Sequence, residues 1–182
     1  IDGVRFVPIE AIDVAGLVPD AHKGKGLGNK FLDDLRQAHA LIHIVDASGS
    51  TDAEGNPCEI GAHDPLLDIE FLEKEINYWL FGIIKKSWEI IARKCELENK
   101  KIEKMLTEQL TGLGIREEHI NGAIRKINLD IAKPSHWKDD QIFKLTDYVR
   151  AISKPIIIAF NKSDKAPENL MEKRKELTKY IV

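Results

Sequence analysis

Two apolar runs of strand length, Ile9 to Val14 and Ile156 to Phe160, each lead straight into a short polar motif. The first motif is Asp13-Val14-Ala15-Gly16 and the second is Asn161-Lys162-Ser163-Asp164. Between them lies a third apolar run, Ala40 to Val45, and then a long stretch of helical periodicity. Apolar runs of this length bounded by turn residues read as strands. Strands connected through helices imply a parallel sheet with helices packed on it, so an α/β fold is expected.

Residue spacing fills in the rest. Val4 to Val14 reads as one strand, and Ala15 to Asn29, with four glycines and Pro19, reads as a loop. Lys30 to Ala38 reads as a helix with Phe31, Leu32 and Leu35 on one face. Ala40 to Val45 is continuous enough to suggest a strand buried on both faces. Asp46 to Pro65 is a polar loop. From Leu66 the period changes: Ile69, Leu72, Ile76, Leu80 and Ile83 recur every three or four residues, and the pattern runs on to Leu110. This predicts one long amphipathic helix, readable as an arm of a coiled-coil hairpin, ended by Thr111-Gly112-Leu113-Gly114. Further helices are expected at 117–129, 139–152 and 167–180, with a strand at 155–160. The predicted organisation is residues 1–65 and 153–182 as parts of one sheet-based domain. Residues 66–152 form a helical insertion much longer than an ordinary crossover.

Composition excludes several function classes. A net charge of −3 and a pI near 6.1 leave no overall basic footprint, so binding of DNA by bulk electrostatics is not indicated. No apolar stretch reaches the length needed to cross a membrane, and the start at Ile1 does not have the pattern of a signal peptide. Cys58 and Cys95 are far apart, without metal-ligand spacing, and are most simply free thiols.

The two motifs carry the chemistry. Each alone matches only four residues; together, in this order and each at a strand end, they point to a GTP-binding domain. Asp13 is placed to hold a magnesium ion through water, and Gly16 lacks a side chain, so its amide can approach a γ-phosphate. The competing reading is a turn in which Asp13 caps and Gly16 bends. In the second motif the Asp164 carboxylate can accept hydrogen bonds from N1–H and the exocyclic amine of guanine. Adenine lacks that donor pair. Asn161 can bond to the base and tie loops together, and the stem of Lys162 can lie against the flat ring. An ordinary polar turn is the alternative. The phosphate-cradling pattern Gly-x-x-x-x-Gly-Lys-Ser/Thr occurs nowhere in the 182 residues.

Leu17 follows the motif glycine directly and cannot hydrogen-bond a water, whereas some GTPases carry a glutamine there. His22, in the same glycine-rich loop, is the nearest group able to orient or deprotonate water; an exposed loop histidine is an equal reading. Gly24-Lys25-Gly26-Leu27-Gly28-Asn29-Lys30 lacks phosphate-loop spacing and reads as a switch segment hinged on its glycines. His43, inside a strand, reads as a satisfied core histidine. Asp46, at the end of that strand, supports a metal site or caps a turn. Trp79 and Trp88 read as packing residues.

The segment Asp13 to Val18, with Ala21-His22, Gly24 and Gly26-Leu27-Gly28-Asn29-Lys30-Phe31-Leu32, resembles the Obg-like GTPases and within them the YchF group in an archaeal-type version. Val45-Asp46-Ala47-Ser48 and the stretch from His63-Asp64-Pro65 to Glu70-Phe71-Leu72 are similar to the same branch. The resemblance implies a P-loop NTPase (G-domain) fold, a three-layer doubly wound parallel sheet that is incomplete here and carries a helical, coiled-coil-like insertion. It implies a cytoplasmic GTPase using magnesium, with His22 as the catalytic residue of the switch loop. It also implies association with the ribosome or ribosomal RNA. The phosphate-binding loop is expected upstream of Ile1 and a TGS domain beyond Val182. YchF relatives with an altered base-reading motif prefer ATP; Asn161, Lys162 and Asp164 instead imply GTP. The alternatives are a helical protein- or ribosome-binding module with a vestigial nucleotide site, and an ATPase.

Overall fold

The computed structural model describes residues 7–14, 17 and 28–168. In chain order these form helix α1 (Gly28–Gln37), strand β1 (Leu41–Asp46), helices α2 (Pro65–Glu98), α3 (Ile102–Leu110), α4 (Glu117–Ile127) and α5 (Asp139–Ser153), and strand β2 (Ile156–Asn161). Short 3-10 turns occupy Thr111–Leu113, Pro134–His136 and Ser163–Lys165. The fold is α/β, and the parallel strand pair with its helices is part of a P-loop NTPase architecture.

The strands pair in parallel with Leu41 opposite Ile156 and Asp46 opposite Asn161. Everything from residue 47 to 155 is therefore one crossover, much longer than such connections usually are. Phe31 and Leu35 of α1, Leu72 and Ile76 of α2 and Ile156 of β2 form one buried cluster, with Leu41, Ile158, Val14 and Leu17 against it. Ile42 and Ile44 remain 68% and 67% exposed. The expectation of a strand buried on both faces thus fails for β1 among the described residues, because the packed helices cover one face only.

A second correction concerns the first apolar run. Residues 7–14 have no strand structure, and Val7 and Ile9 are exposed. A strand is a property of a hydrogen-bonded pair, and among the described residues nothing pairs with this segment. Apolar composition could not supply that partner.

The third correction is the long helix. Asp64 caps α2, its Oδ1 accepting the Leu66 amide at 3.1 Å, and Pro65 occupies the first turn, where its missing N–H costs nothing. The helix then runs 34 residues, about 50 Å, and stops at Asn99, which adopts the left-handed conformation (φ 51°). Asparagine tolerates that geometry better than most residues. The chain turns, and α3 folds back to bury Ile102, Leu106 and Leu110. The apolar period continues across the corner because both helices feed one core, so periodicity alone could not reveal the break.

That core joins α2, α3, α4 and α5 as a bundle around Leu80, Ile84, Leu106, Ile120, Ile142 and Leu145. Trp88 lies within it, its ring stacked on Trp137 at 5.3 Å between centroids, while Trp137 Nε1 donates to Asp130 O at 2.8 Å. The packing role expected for Trp88 is what the structure shows. Buried Arg150 on α5 donates through Nε to Asn77 Oδ1 at 3.0 Å, and Asn77 Nδ2 donates to Asp147 at 2.8 Å, which locks α5 to α2. Just beyond α5, buried Lys154 donates to the carbonyls of Ala38 (2.5 Å) and Arg36 (3.2 Å) and caps the C-terminal end of α1. Burial pushes this ammonium below its ordinary pKa. Helices 117–129 and 139–152 and strand 155–160 are found within a residue or two of expectation. The helix expected at 167–180 lies outside the described residues after Glu168. No described helix is long and apolar enough to cross a membrane.

Candidate functional site

Because β1 and β2 end in register, their polar C-termini leave the sheet side by side. Asn161 closes β2, and its Oδ1 accepts the amide of Lys162 at 3.0 Å. Lys162 has φ 55° and ψ 30°, an uncommon left-handed conformation for a lysine. It turns the chain into the Ser163–Lys165 turn, which carries Asp164. Asn161, Lys162 and Asp164 are all exposed.

Asp46, the residue opposite Asn161, anchors the adjoining loop. Its Oδ1 accepts from the Ser48 amide (3.0 Å) and the Ser48 hydroxyl (2.6 Å). Its Oδ2 accepts from the Ser50 hydroxyl (2.9 Å), the Thr51 hydroxyl (2.8 Å) and Lys162 Nζ (2.7 Å). Burial pushes the Asp46 carboxyl upward, but the hydrogen bonds from Lys162, Ser48, Thr51 and Ser50 outweigh it and hold the group well below the usual carboxylate range. A carboxyl depressed in this way stabilises the fold above its ordinary value and loses that contribution only as pH falls through the folded value. Sequence reading left Asp46 between metal support and capping. The structure shows a capped turn that also grips the second motif. Ser48, Ser50 and Thr51 were missed, although an aspartate followed by hydroxyls at +2, +4 and +5 is a legible side-chain turn signal.

The loop behind Asp46 depends on Gly49 (φ +60°), whose carbonyl accepts the His63 amide at 3.2 Å. A Cβ built there would sit 2.2 Å from the His63 carbonyl oxygen. Gly49→Ala is therefore expected to cost about 2 kcal/mol or more, combining left-handed strain with a backbone clash. Urea denaturation measures this, and a loss under about 0.5 kcal/mol would refute it.

Asp13 is exposed and lines a cleft of about 980 Å³ with Leu17, Phe31, His43, Asp46 and Asp68. Asn161, Lys162 and Asp164 do not line that cleft, so Asp46 is the residue that touches both places. Leu17 packs against the cluster of Phe31, Leu35 and Ile156, an apolar role that suits a side chain unable to hold water. Gly16 and His22 lie outside the described residues. The histidine expected to be satisfied, His43, has a buried Nδ1 without a hydrogen-bond partner among the described residues. Burial lowers its pKa, opposed by the nearby Asp68 charge. No group of three or more His, Cys, Asp or Glu side chains is gathered as a metal cage among the described residues. Magnesium held mainly by water and substrate phosphate needs no such cage, and an exposed single carboxylate such as Asp13 fits that donor chemistry. Cys58 and Cys95 are free thiols.

No family model matches the chain. An uncharacterized GTP-binding protein of Methanocaldococcus jannaschii is 50% identical over all of this chain and 45% of its own length. The ribosome-binding ATPase YchF of Buchnera aphidicola is 30% identical over 93% of this chain and 44% of its own. Among solved structures, a GTP-binding protein from Pyrococcus horikoshii superposes with a TM-score of 0.74 at 42% identity, covering 82% of this chain and 43% of that one. The chain thus spans less than half the length of these relatives. With the second motif at a strand end of an α/β fold and these likenesses at up to half identity, the chain belongs to the YchF group of the Obg-like GTP-binding proteins.

Proposed function

We propose that the intact protein binds GTP and hydrolyses it to GDP and phosphate, as a cytoplasmic, ribosome-associated enzyme. The observation that carries this reading is the second motif. The left-handed Lys162 turns the chain at the end of β2 and leaves Asn161, Lys162 and Asp164 exposed together at the carboxyl end of a parallel sheet, where α/β folds bind ligands. Asp164 pairs with the guanine edge, Asn161 ties the loop to the base, and the Lys162 stem covers the ring. Asp13 would hold magnesium through water, and the metal would supply charge neutralisation on the phosphates. Gly16 senses the γ-phosphate and His22 places the attacking water. The phosphate-cradling loop is contributed from outside these 182 residues. Residues 66–152 act as the insertion through which a ribosomal partner is met, in keeping with the name of the Buchnera relative.

Titration with fluorescent GTP in the presence of magnesium tests the reading, with GTP and ATP as chasers. Displacement by GTP but not by ATP is the expected result. Equal displacement by ATP would overturn guanine selection, and no saturable binding would leave a helical docking module as the function. His22→Ala is expected to slow hydrolysis about a hundredfold, in the range of general acid–base contributions, while nucleotide affinity stays unchanged. Single-turnover kinetics separate the two, and an unaltered rate removes His22 from the mechanism.

A further inference from the structure

We infer that Asp46 is a positioning residue for the base-reading loop: it holds the ammonium of Lys162 so that the lysine's stem, not its charge, is presented to the nucleotide base. This rests on the guanine-binding reading above and adds to it a residue from a different strand. The geometry is specific. Lys162 Nζ lies 2.7 Å from Asp46 Oδ2 and 3.1 Å from Ser50 Oγ, so two partners fix its end. Ser50 Oγ itself donates to the same carboxylate oxygen at 2.9 Å, which closes a ring of hydrogen bonds through Lys162 Nζ, Ser50 Oγ and Asp46 Oδ2. Lys162 is fixed at its other end by its left-handed backbone and by the bond from its amide to Asn161 Oδ1. A side chain with four rotatable carbons is thereby held at both ends, which removes much of the rotamer entropy that binding would otherwise cost.

The obvious objection is that an exposed ion pair contributes little, and the Lys162 side chain is 41% exposed. The carboxylate side of the pair is different. Asp46 is 14% exposed and already oriented by Ser48, Ser50 and Thr51 before the lysine arrives. The pair therefore matters for geometry more than for fold stability. It also neutralises the ammonium internally, so Lys162 adds hydrocarbon surface to the site and little net attraction for phosphate.

Asp46→Asn isolates this role. Its oxygen can still accept from the Ser48 amide and hydroxyl, whereas its amide presents hydrogens to the ammonium in place of a negative oxygen. The test is a double-mutant cycle on the intact protein, D46N, K162M and the double variant, read as the Kd for fluorescent GDP. D46N is expected to weaken binding about tenfold, within the coupling usual for touching charged residues. The double variant is expected to bind as K162M does, with no further loss. If the losses multiply instead, Asp46 acts only on loop folding and the inference is overturned. Should D46N fail to fold, Ser50→Ala takes its place, with an expected loss of about threefold that vanishes in the K162M background; a loss that persists there overturns the inference equally. Asp164→Asn measured in parallel with xanthosine diphosphate distinguishes the two levels. A switch to xanthine with multiplying losses at 46 and 162 sinks this inference alone. Absence of guanine-nucleotide binding by the unaltered protein sinks both.

Discussion

Asp164→Asn is expected to weaken GTP binding by about two orders of magnitude or more and to turn preference towards xanthine nucleotide. The physical reason is hydrogen-bond polarity. Aspartate offers two acceptors to the two donors of the guanine edge, and replacing one oxygen with an amide sets donor against donor. Sites built on such pairs reject mismatched partners by factors up to about 10⁴–10⁵. Xanthine carries an oxygen where guanine carries the amine, so it restores the match. The residue sits in the Ser163–Lys165 turn, exposed, where exchanging Asp for Asn disturbs no core. The loss is therefore chemical and not a consequence of unfolding. Competition of fluorescent GDP by GTP and by xanthosine triphosphate measures it, and unchanged GTP affinity would refute the assignment of Asp164.

The second large effect belongs to the helical bundle. Leu145 on α5 is wholly buried among residues of α2, α3 and α4. Leu145→Ala is expected to cost about 2–5 kcal/mol, the sum of lost apolar transfer and the cavity left behind. For a chain of this size that corresponds to a fall in Tm of roughly 5–20 °C. Ile90, on the exposed side of α2 at 72% exposure, is the internal control: Ile90→Ala should change stability by no more than about 0.5 kcal/mol. Thermal and urea melts of both variants settle the comparison. Equal effects would mean that α5 does not seat on the bundle as the structure has it.

These two predictions sit on different links of the same chain of causes. The place of Asp164 just past a strand end was legible in the sequence, because a polar four-residue motif follows an apolar run there. Leu145 was legible only as one apolar residue of an expected helix, and which helix it would pack against was not. The same division recurs elsewhere. The residue types between Pro65 and Leu110 announced helix by their period, yet the corner at Asn99 was hidden because α2 and α3 bury the same face into the same core. The run Ile9–Val14 announced strand by composition, yet residues 7–14 form none, because pairing is a long-range property that no local window contains.

The α/β class, the position and type of most helices, and family membership are all readable in the amino-acid sequence. These follow from local periodicity, turn chemistry and short fixed spacings, which act within a few residues. Long-range packing, by contrast, is what sets β1 and β2 side by side in register across a crossover of more than a hundred residues. That register sets Asp46 opposite Asn161 and brings Asp46 within 2.7 Å of Lys162. The same packing has Lys154 close the end of α1. Such contacts join residues 116 to 118 positions apart. They exist only once the apolar faces of α1, α2 and β2 have buried one another, and so depend on the packing of the whole chain.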